Sequence, residues 1–230
     1  MQKDLIILLF SLIPSFFWLL LTRYVDKKNP EPKKQIVKFF IFGALIVLPA
    51  FVVIQSAKSL LITAGFPPII EILILSFLID GLIEELAKFL VIKNCVCHCK
   101  FFDEPLDGLI YGVTVAVGFA FVENFLYLLT ANPELILVRF ATPTLMHALS
   151  GGIIGYHVAL AKFRKVSKAK RFFYIFLGII LAAAFHGLYN AVIRYNIFYF
   201  AIPIAFLVIA VYFYLLAGLK KVQHEYEENL

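Results

Sequence analysis

The chain has 230 residues, of which 62% are hydrophobic and only 16% are charged, and its net charge is +6. Ordinary soluble domains contain about 45–50% apolar and about 25% charged residues. The composition therefore excludes a soluble globular domain, a disordered chain and a disulfide-stabilised scaffold, and it predicts a membrane-embedded helical protein.

Seven apolar runs are long enough to cross a bilayer as helices of about 20 residues. In chain order they are Leu5–Leu21, Ile36–Ile54, Ile69–Ile92, Leu106–Leu129, Leu135–Ala161, Phe172–Ile193 and Ile197–Leu219. No loop between them is long enough for a soluble domain. We therefore predict an all-α membrane protein, a bundle of about seven transmembrane helices that forms a single domain over residues 1–230, with its functional core at about 69–194.

The basic residues predict the orientation of this bundle. Sixteen of the 21 Lys and Arg residues follow the first, third, fifth and seventh runs, which end on the same side. By the positive-inside rule the N-terminus lies outside and the C-terminus lies in the cytoplasm. Since topology explains the positive charge, we expect a multi-pass protein of the plasma membrane in contact with the lipid bilayer and no nucleic-acid partner.

The third run contains four ionisable residues, Asp80, Glu84, Glu85 and Lys88. Each costs about 2.5–3.5 kcal/mol near the centre of a membrane helix, so we expect them to face a polar cavity. A Glu84–Lys88 ion pair is the structural alternative, but it leaves the second carboxylate unexplained. Two adjacent carboxylates cannot both ionise at low cost in a low dielectric, and such a pair favours general acid–base chemistry on water.

Three cysteines follow within Cys95-Val96-Cys97-His98-Cys99. An odd number of cysteines excludes a fully paired internal framework. The spacing is too tight for most four-ligand zinc sites, and no second ligand pair follows. We therefore favour a reduced loop or lipidated juxtamembrane cysteines over a metal site.

The fourth run begins where Asp103 or Asp107 is expected to cap free backbone N–H groups. Further along, it contains the adjacent polar residues Glu123 and Asn124, for which we expect a functional or site-supporting role. Small-residue faces that allow close helix packing occur at Gly108-x-x-x-Gly112 and Gly151-x-x-x-Gly155.

Histidines lie in the fifth and sixth runs. His147 lies at mid-depth, and His186 is followed one helical turn later by Asn190 on the same face. A single buried histidine is more often a packing residue than a ligand, which is how we interpret His157. Two histidines on neighbouring helices, together with a pair of glutamates, instead indicate a functional site.

These motifs together resemble the PrsW family of intramembrane proteases, which are relatives of the CAAX prenyl proteases and bacteriocin-processing enzymes. The matching motifs are Glu84-Glu85-Leu86-Ala87-Lys88, Asp103-Glu104-Pro105-Leu106-Asp107-Gly108, Gly118-Phe119-Ala120-Phe121-Val122-Glu123-Asn124, His147 and His186-Gly187-Leu188-Tyr189-Asn190. The resemblance implies a glutamic-type intramembrane endopeptidase. Its implied substrate is a membrane-anchored protein, for example an anti-sigma factor that receives its first, site-1 type cut.

The resemblance also implies the residues of the site. The implied catalytic residues are Glu84, Glu85, His147, His186 and Asn190, and the supporting residues are Lys88, Glu123, Asn124 and Asp80. In this scheme Glu84 or Glu85, together with His147, deprotonates a water molecule that attacks a peptide carbonyl. His186 and Asn190 donate hydrogen bonds to the developing oxyanion.

Two alternatives use the same residues. No cofactor is expected in the favoured scheme, but a zinc-dependent protease would use His147, His186 and Glu85 as ligands. The absence of a His-Glu-x-x-His motif makes this alternative weaker. A proton-coupled transporter would also need buried ionisable groups, although the sequence contains no inverted repeat.

Overall fold

The computed structural model describes residues 2–26, 29–130, 142–195 and 201–228, and all regular secondary structure within them is helical. The α-helical elements are α1 (Gln2–Val25), α2 (Lys33–Leu45), α3 (Val47–Ala64), α4 (Pro68–Leu73), α5 (Ile83–Val91), α6 (Pro105–Thr130), α7 (Pro143–Phe163), α8 (Lys168–Arg194) and α9 (Ala201–Glu227). Two π-helical elements are π1 (Ile74–Leu82) and π2 (Ile92–Val96). The predicted all-α fold is confirmed.

Four helical stretches in the described part of the chain are long and apolar enough to cross a membrane. They are Leu5–Tyr24, Lys33–Ala64, Pro105–Leu129 and Lys168–Arg194. The chain is thus an all-α membrane protein. The third predicted span lies within the helical segment 68–96, and most of the fifth and seventh lies within α7 and α9. The parts of those two spans at 135–141 and 197–200 are outside the described residues, and the orientation stays a prediction.

The second predicted span is too short. The helical stretch there contains 32 residues, because α2 and α3 join at Ile46, whose backbone is itself helical (φ −68°, ψ −14°). Polar residues after Ile54 resemble a loop by hydropathy, but none of them breaks a helix. The stretch ends at Gly65, whose φ of 66° lies in the left-handed region that glycine adopts readily.

Helix α6 lies at the centre of the bundle and packs against α1, α2 and α7, while α7 packs in turn against α8. The predicted small-residue faces of α6 and α7 do meet, because a Cβ on Gly108 would lie 2.5 Å from the carbonyl oxygen of Gly155. This close approach leaves α7 buried over nearly its whole length. The polar side chains of α7 are therefore held deep inside the protein.

Helix α8 also approaches π1 closely at two glycines. A Cβ on Gly187 would lie 2.8 Å from the Cα atom of Phe77, and a Cβ on Gly81 would lie 2.8 Å from the carbonyl oxygen of Ala183. Side chains larger than hydrogen at these glycines would push the two helices apart. The contact brings His186, the neighbour of Gly187, against the segment that carries the glutamates.

Candidate active site

Glu85 lies at the centre of a buried polar network. Its side chain is fully buried, and its Oε1 atom accepts hydrogen bonds from Lys88 Nζ at 2.6 Å, His186 Nδ1 at 2.8 Å and Ser150 Oγ at 3.0 Å. The donors come from α5, α8 and α7, so this one carboxylate joins three helices. A buried charge is tolerated when it is paired and hydrogen-bonded in this way.

Lys88 connects this network to His147. Its side chain is also fully buried, its Nζ atom lies 2.7 Å from His147 Nδ1, and it stacks over the Phe119 ring at 4.8 Å. Since an ammonium group can only donate, His147 Nδ1 must accept, which leaves the proton of the neutral imidazole on Nε2. That atom lies 2.5 Å from Glu123 Oε2, so the ring is fixed on both sides.

The ion pair differs from the one predicted. Lys88 pairs with Glu85 at i, i+3, and no Lys88–Glu84 bridge is present among the described residues. Adjacent residues on a helix point about 100° apart, so Glu84 and Glu85 face different neighbours.

Glu84 faces the two histidines. Its Oε2 atom has no hydrogen-bond partner in the described part of the chain and lies 3.9 Å from His186 Nε2. Since His186 Nδ1 donates to Glu85, the Nε2 atom of a neutral ring is an acceptor, and two acceptors face each other without a donor between them. This arrangement requires a proton, a water molecule or a cation.

The same groups form a set that could hold a metal ion. One ligand atom each from Glu84, His147 and His186 lies within 4.8 Å of the others. A Glu-His-His donor set is one that catalytic zinc ions use, and the hydrogen bond from His186 Nδ1 to Glu85 is typical of a metal-ligating imidazole. The donors therefore fit a divalent ion. In the predicted zinc alternative Glu85 was the carboxylate ligand, whereas the structure brings Glu84 to the histidines.

Asp80 lies in a separate ion cluster one turn before the glutamates. It pairs with Lys58 of α3 at 3.0 Å and with Arg194 at the end of α8, and Arg194 also donates to Ser76 Oγ at 2.7 Å. The cluster ties α3 and α8 to π1. Asp80 thus supports the arrangement of the helices, and it makes no hydrogen bond with the histidines.

The remaining predicted residues lie around the site. Asn124 donates to Thr144 Oγ1 at 3.0 Å, which joins α6 to α7 one turn before His147. Asn190 is half-buried and makes no hydrogen bond with the described part of the chain, one turn after His186. His157 is a packing residue as expected, with Nδ1 bonded to the Ile153 carbonyl at 2.8 Å.

The predictions outside the site have mixed outcomes. Asp107 caps as predicted, since its Oδ2 atom accepts the backbone N–H groups of Asp103 and Glu104 at 2.9 and 2.7 Å. The half-buried cysteines of the Cys95–Cys99 loop are free thiols, while lipidation stays a prediction.

Four contributing residues were missed by sequence reasoning, namely Lys58, Ser76, Phe119 and Ser150. Ser150 lies one turn after His147 on the same helix, and this spacing was the available signal for it. Lys58 meets Asp80 and Ser76 meets Arg194 only through tertiary packing, so no local pattern marks these contacts.

The match to a known family decides what kind of protein carries this site. The family described as "PrsW family intramembrane metalloprotease" matches residues 31–217. The chain belongs to the PrsW family. It is 34% identical over 165 residues to Protease PrsW of Geobacillus kaustophilus, covering 72% of this chain and 69% of the relative. The same name is given to relatives from Oceanobacillus iheyensis, 34% identical over 171 residues (74% and 75%), and Bacillus subtilis, 30% identical over 180 residues (77% and 79%).

Membership of the PrsW family confirms the resemblance seen in the motifs and makes the chain an intramembrane protease. All the residues of the candidate site described above lie within the matched residues 31–217. No solved structure matches the chain.

Proposed function

We propose that the chain is a metal-assisted endopeptidase of the plasma membrane that hydrolyses a peptide bond in a membrane-anchored protein. The observation that carries this proposal is the difference in surroundings between two adjacent carboxylates. Glu85 Oε1 accepts hydrogen bonds from Lys88, Ser150 and His186, while its Oε2 atom has no partner among the described residues. Glu84 Oε2 also has no partner there, but it is the carboxylate oxygen that faces His186 Nε2.

Glu84, His147 and His186 would hold the ion, which supplies Lewis-acid polarisation of a carbonyl and a lowered pKa of bound water. Because Lys88 occupies His147 Nδ1, Nε2 is the ring nitrogen that would bind the ion, and it would do so in exchange for the proton that it donates to Glu123. The chain's other groups position this set. Glu85 fixes the tautomer and orientation of His186, and Lys88 balances the charge of Glu85.

Glu123 is the carboxylate placed to accept the proton of an attacking water. It is 36% exposed, the most open of the site carboxylates, and it lies beside His147 Nε2. Asn190, whose amide makes no hydrogen bond with the described residues, lies one turn after His186 and is suited to donate a hydrogen bond to the carbonyl oxygen of the substrate. Without a metal, Glu84 and His147 would hold the water instead.

The proposed substrate class is a membrane-anchored regulator, such as an anti-sigma factor that receives its first cut from this enzyme. The reasoning rests on the family resemblance and on the position of the site among membrane helices. Comparing membrane-protein fragments from cells that carry the wild type or Glu84→Gln would identify the substrate by the fragments that disappear.

The chemistry is tested with purified protein in lipid vesicles containing an anchored substrate. Glu84→Gln and Glu123→Gln should each reduce cleavage by about 10²–10⁴-fold, the usual contribution of an acid–base group. Elemental analysis separates their roles, since Glu84→Gln should lose a stoichiometric ion and Glu123→Gln should retain it. Glu71→Gln, on the same helical segment but outside the network, is the matched control.

Two results would contradict the proposal in different ways. Active wild-type protein without stoichiometric metal, insensitive to chelators, would exclude the metal-assisted chemistry and favour the metal-free scheme. Full cleavage by both glutamine variants would exclude the site itself.

A further inference from the structure

A cavity of about 470 Å³ lies between α1, α2 and the start of α6, and none of the active-site residues lines it. Most of its wall is apolar and open to the surroundings of the protein. Leu20 of α1 and Val37 of α2, for example, are 52% and 57% exposed. In a membrane these side chains contact lipid tails, so the groove is accessible to an acyl chain from the bilayer.

One end of the cavity is polar. Arg23, Asp26, Glu31 and Lys33 line it there. These residues lie where one candidate span ends, at Tyr24, and the next begins, at Lys33. The polar end is therefore at the depth of the lipid headgroups, next to an apolar groove at the depth of the tails.

Asp26 is an unsatisfied acid in this polar end. It is 2% exposed, and its Oδ2 atom accepts the Glu31 backbone N–H at 2.7 Å, but its Oδ1 atom has no hydrogen-bond partner in the described residues. Glu31 itself is occupied by the Tyr111 hydroxyl, which donates to it. A buried carboxylate oxygen without a donor is costly, and a ligand with a cationic donor would relieve that cost.

Two cations at the polar end are available to an anionic group. Arg23 and Lys33 are exposed and form no ion pair with the described part of the chain. Guanidinium and ammonium groups at this depth are suited to bind a phosphate. The cavity thus offers positive charge for a phosphate, a buried acceptor for a donor group, and an apolar groove.

We propose that this cavity binds a phospholipid whose headgroup carries a primary amine, as in phosphatidylethanolamine. The phosphate contacts Arg23 and Lys33, the ammonium group donates to Asp26 Oδ1, and an acyl chain lies against Leu20 and Val37. An anionic headgroup without an amine satisfies the cations but leaves Asp26 unpaired. A choline headgroup carries positive charge but has no N–H to donate.

Burial raises the pKa of Asp26, against the smaller opposing effects of the Glu31 N–H and the Arg23 charge. This direction agrees with a carboxyl group whose charge is incompletely balanced by the protein. An ammonium partner would supply the missing charge.

The test uses the delipidated full chain in detergent, incubated with an equimolar mixture of phosphatidylethanolamine, phosphatidylglycerol and phosphatidylcholine of identical chains. Retained lipid is counted by native mass spectrometry. The wild type should retain phosphatidylethanolamine about tenfold over phosphatidylcholine, which corresponds to about 1.4 kcal/mol. Asp26→Asn should reduce this ratio to near one while leaving phosphatidylglycerol retention unchanged.

Three further variants separate the parts of the site. Arg23→Gln should lower retention of all three lipids, since each carries one phosphate, and should leave the ratio of phosphatidylethanolamine to phosphatidylcholine unchanged. Leu20→Trp should fill the groove and lower retention of all three lipids. Lys34→Gln, an exposed neighbour of Lys33 that does not line the cavity, should change nothing. Asparagine still accepts the Glu31 N–H, so Asp26→Asn is expected to fold, and a thermal unfolding curve checks this.

Equal retention of the three lipids by the wild type would overturn the proposal. So would a preference for phosphatidylglycerol that Asp26→Asn leaves intact, because the cavity would then recognise only negative charge. Since the cavity and the active site share no residue, these outcomes are independent of whether the chain cleaves a substrate.

Discussion

Replacing Lys88 by methionine tests the buried network around Glu85 most directly. The change preserves an unbranched side chain of similar size but removes the ammonium group that lies 2.6 Å from Glu85 Oε1. The remaining donors to that oxygen are His186 Nδ1 and Ser150 Oγ. Glu85 would then be a buried carboxylate that has lost its lysine partner.

The expected loss follows from the geometry. At 2.6 Å and an effective dielectric constant of about 20, two unit charges attract by about 6 kcal/mol. Part of this attraction is offset, because the variant no longer has to bury the ammonium group of Lys88. Breaking buried pairs by removing one partner costs about 3–5 kcal/mol, and we expect a loss of unfolding free energy in that range.

Unfolding in mixed detergent micelles measures this loss for Lys88→Met, Glu85→Gln and the double variant. The double variant should be about 2–3 kcal/mol more stable than the sum of the single losses predicts, because the second change no longer leaves a charge unpaired. Lys93→Met, at an exposed lysine of the neighbouring π2 element, should change stability by less than about 0.5 kcal/mol. A loss below about 1 kcal/mol for Lys88→Met, additive with Glu85→Gln, would refute the reasoning.

Three further predictions concern packing, the ion cluster and pH. Gly155→Ala should destabilise the protein by about 1–3 kcal/mol in thermal unfolding, because its Cβ would overlap the α6 backbone. Gly152→Ala should cost less, because a Cβ there meets flexible side chains. Equal losses for the two variants would contradict the close contact of α6 and α7. Asp80→Asn should cost about 2 kcal/mol by weakening the pair with Arg194, and an unchanged unfolding free energy would show that the cluster is not formed. Burial raises the pKa of Asp26 above 3.8, so its contribution to stability is present at lower pH and is lost as the pH rises through the folded-state pKa. The unfolding free energy should therefore fall less steeply with rising pH for Asp26→Asn than for the wild type. Identical slopes would refute the shift.

The sequence alone could point to the polar residues of the candidate site, because ionisable residues are rare in membrane helices. Each ionisable group in an apolar run is costly, so Glu84, Glu85, Lys88, His147 and His186 stood out without any knowledge of the fold. The structure brings all five together. The glycine faces of α6 and α7 were found for a similar reason, since small residues at i, i+4 have a direct consequence for helix packing.

The partners of these residues could not be predicted in the same way. The predicted Glu84–Lys88 pair rested on the i, i+4 spacing of the two residues alone. In the structure Lys88 instead contacts Glu85 on its own helix and His147 on α7, since the packing of α5 against α7 decides which carboxylate is buried. The predicted second span ended at Ile54 and left Lys58 outside it, yet Lys58 lies on a helix that continues to Ala64.

The sequence by itself determined that this is a helical membrane protein with a set of ionisable residues in its apolar runs, because hydropathy and the cost of buried charge are properties of short segments. Only the tertiary structure decided that Glu85 is the structural carboxylate and Glu84 the available one. That distinction depends on donors from α7 and α8, which are 65 and 101 residues away along the chain. Such contacts are set by how closely the glycine-lined helices approach, and no local pattern contains that information.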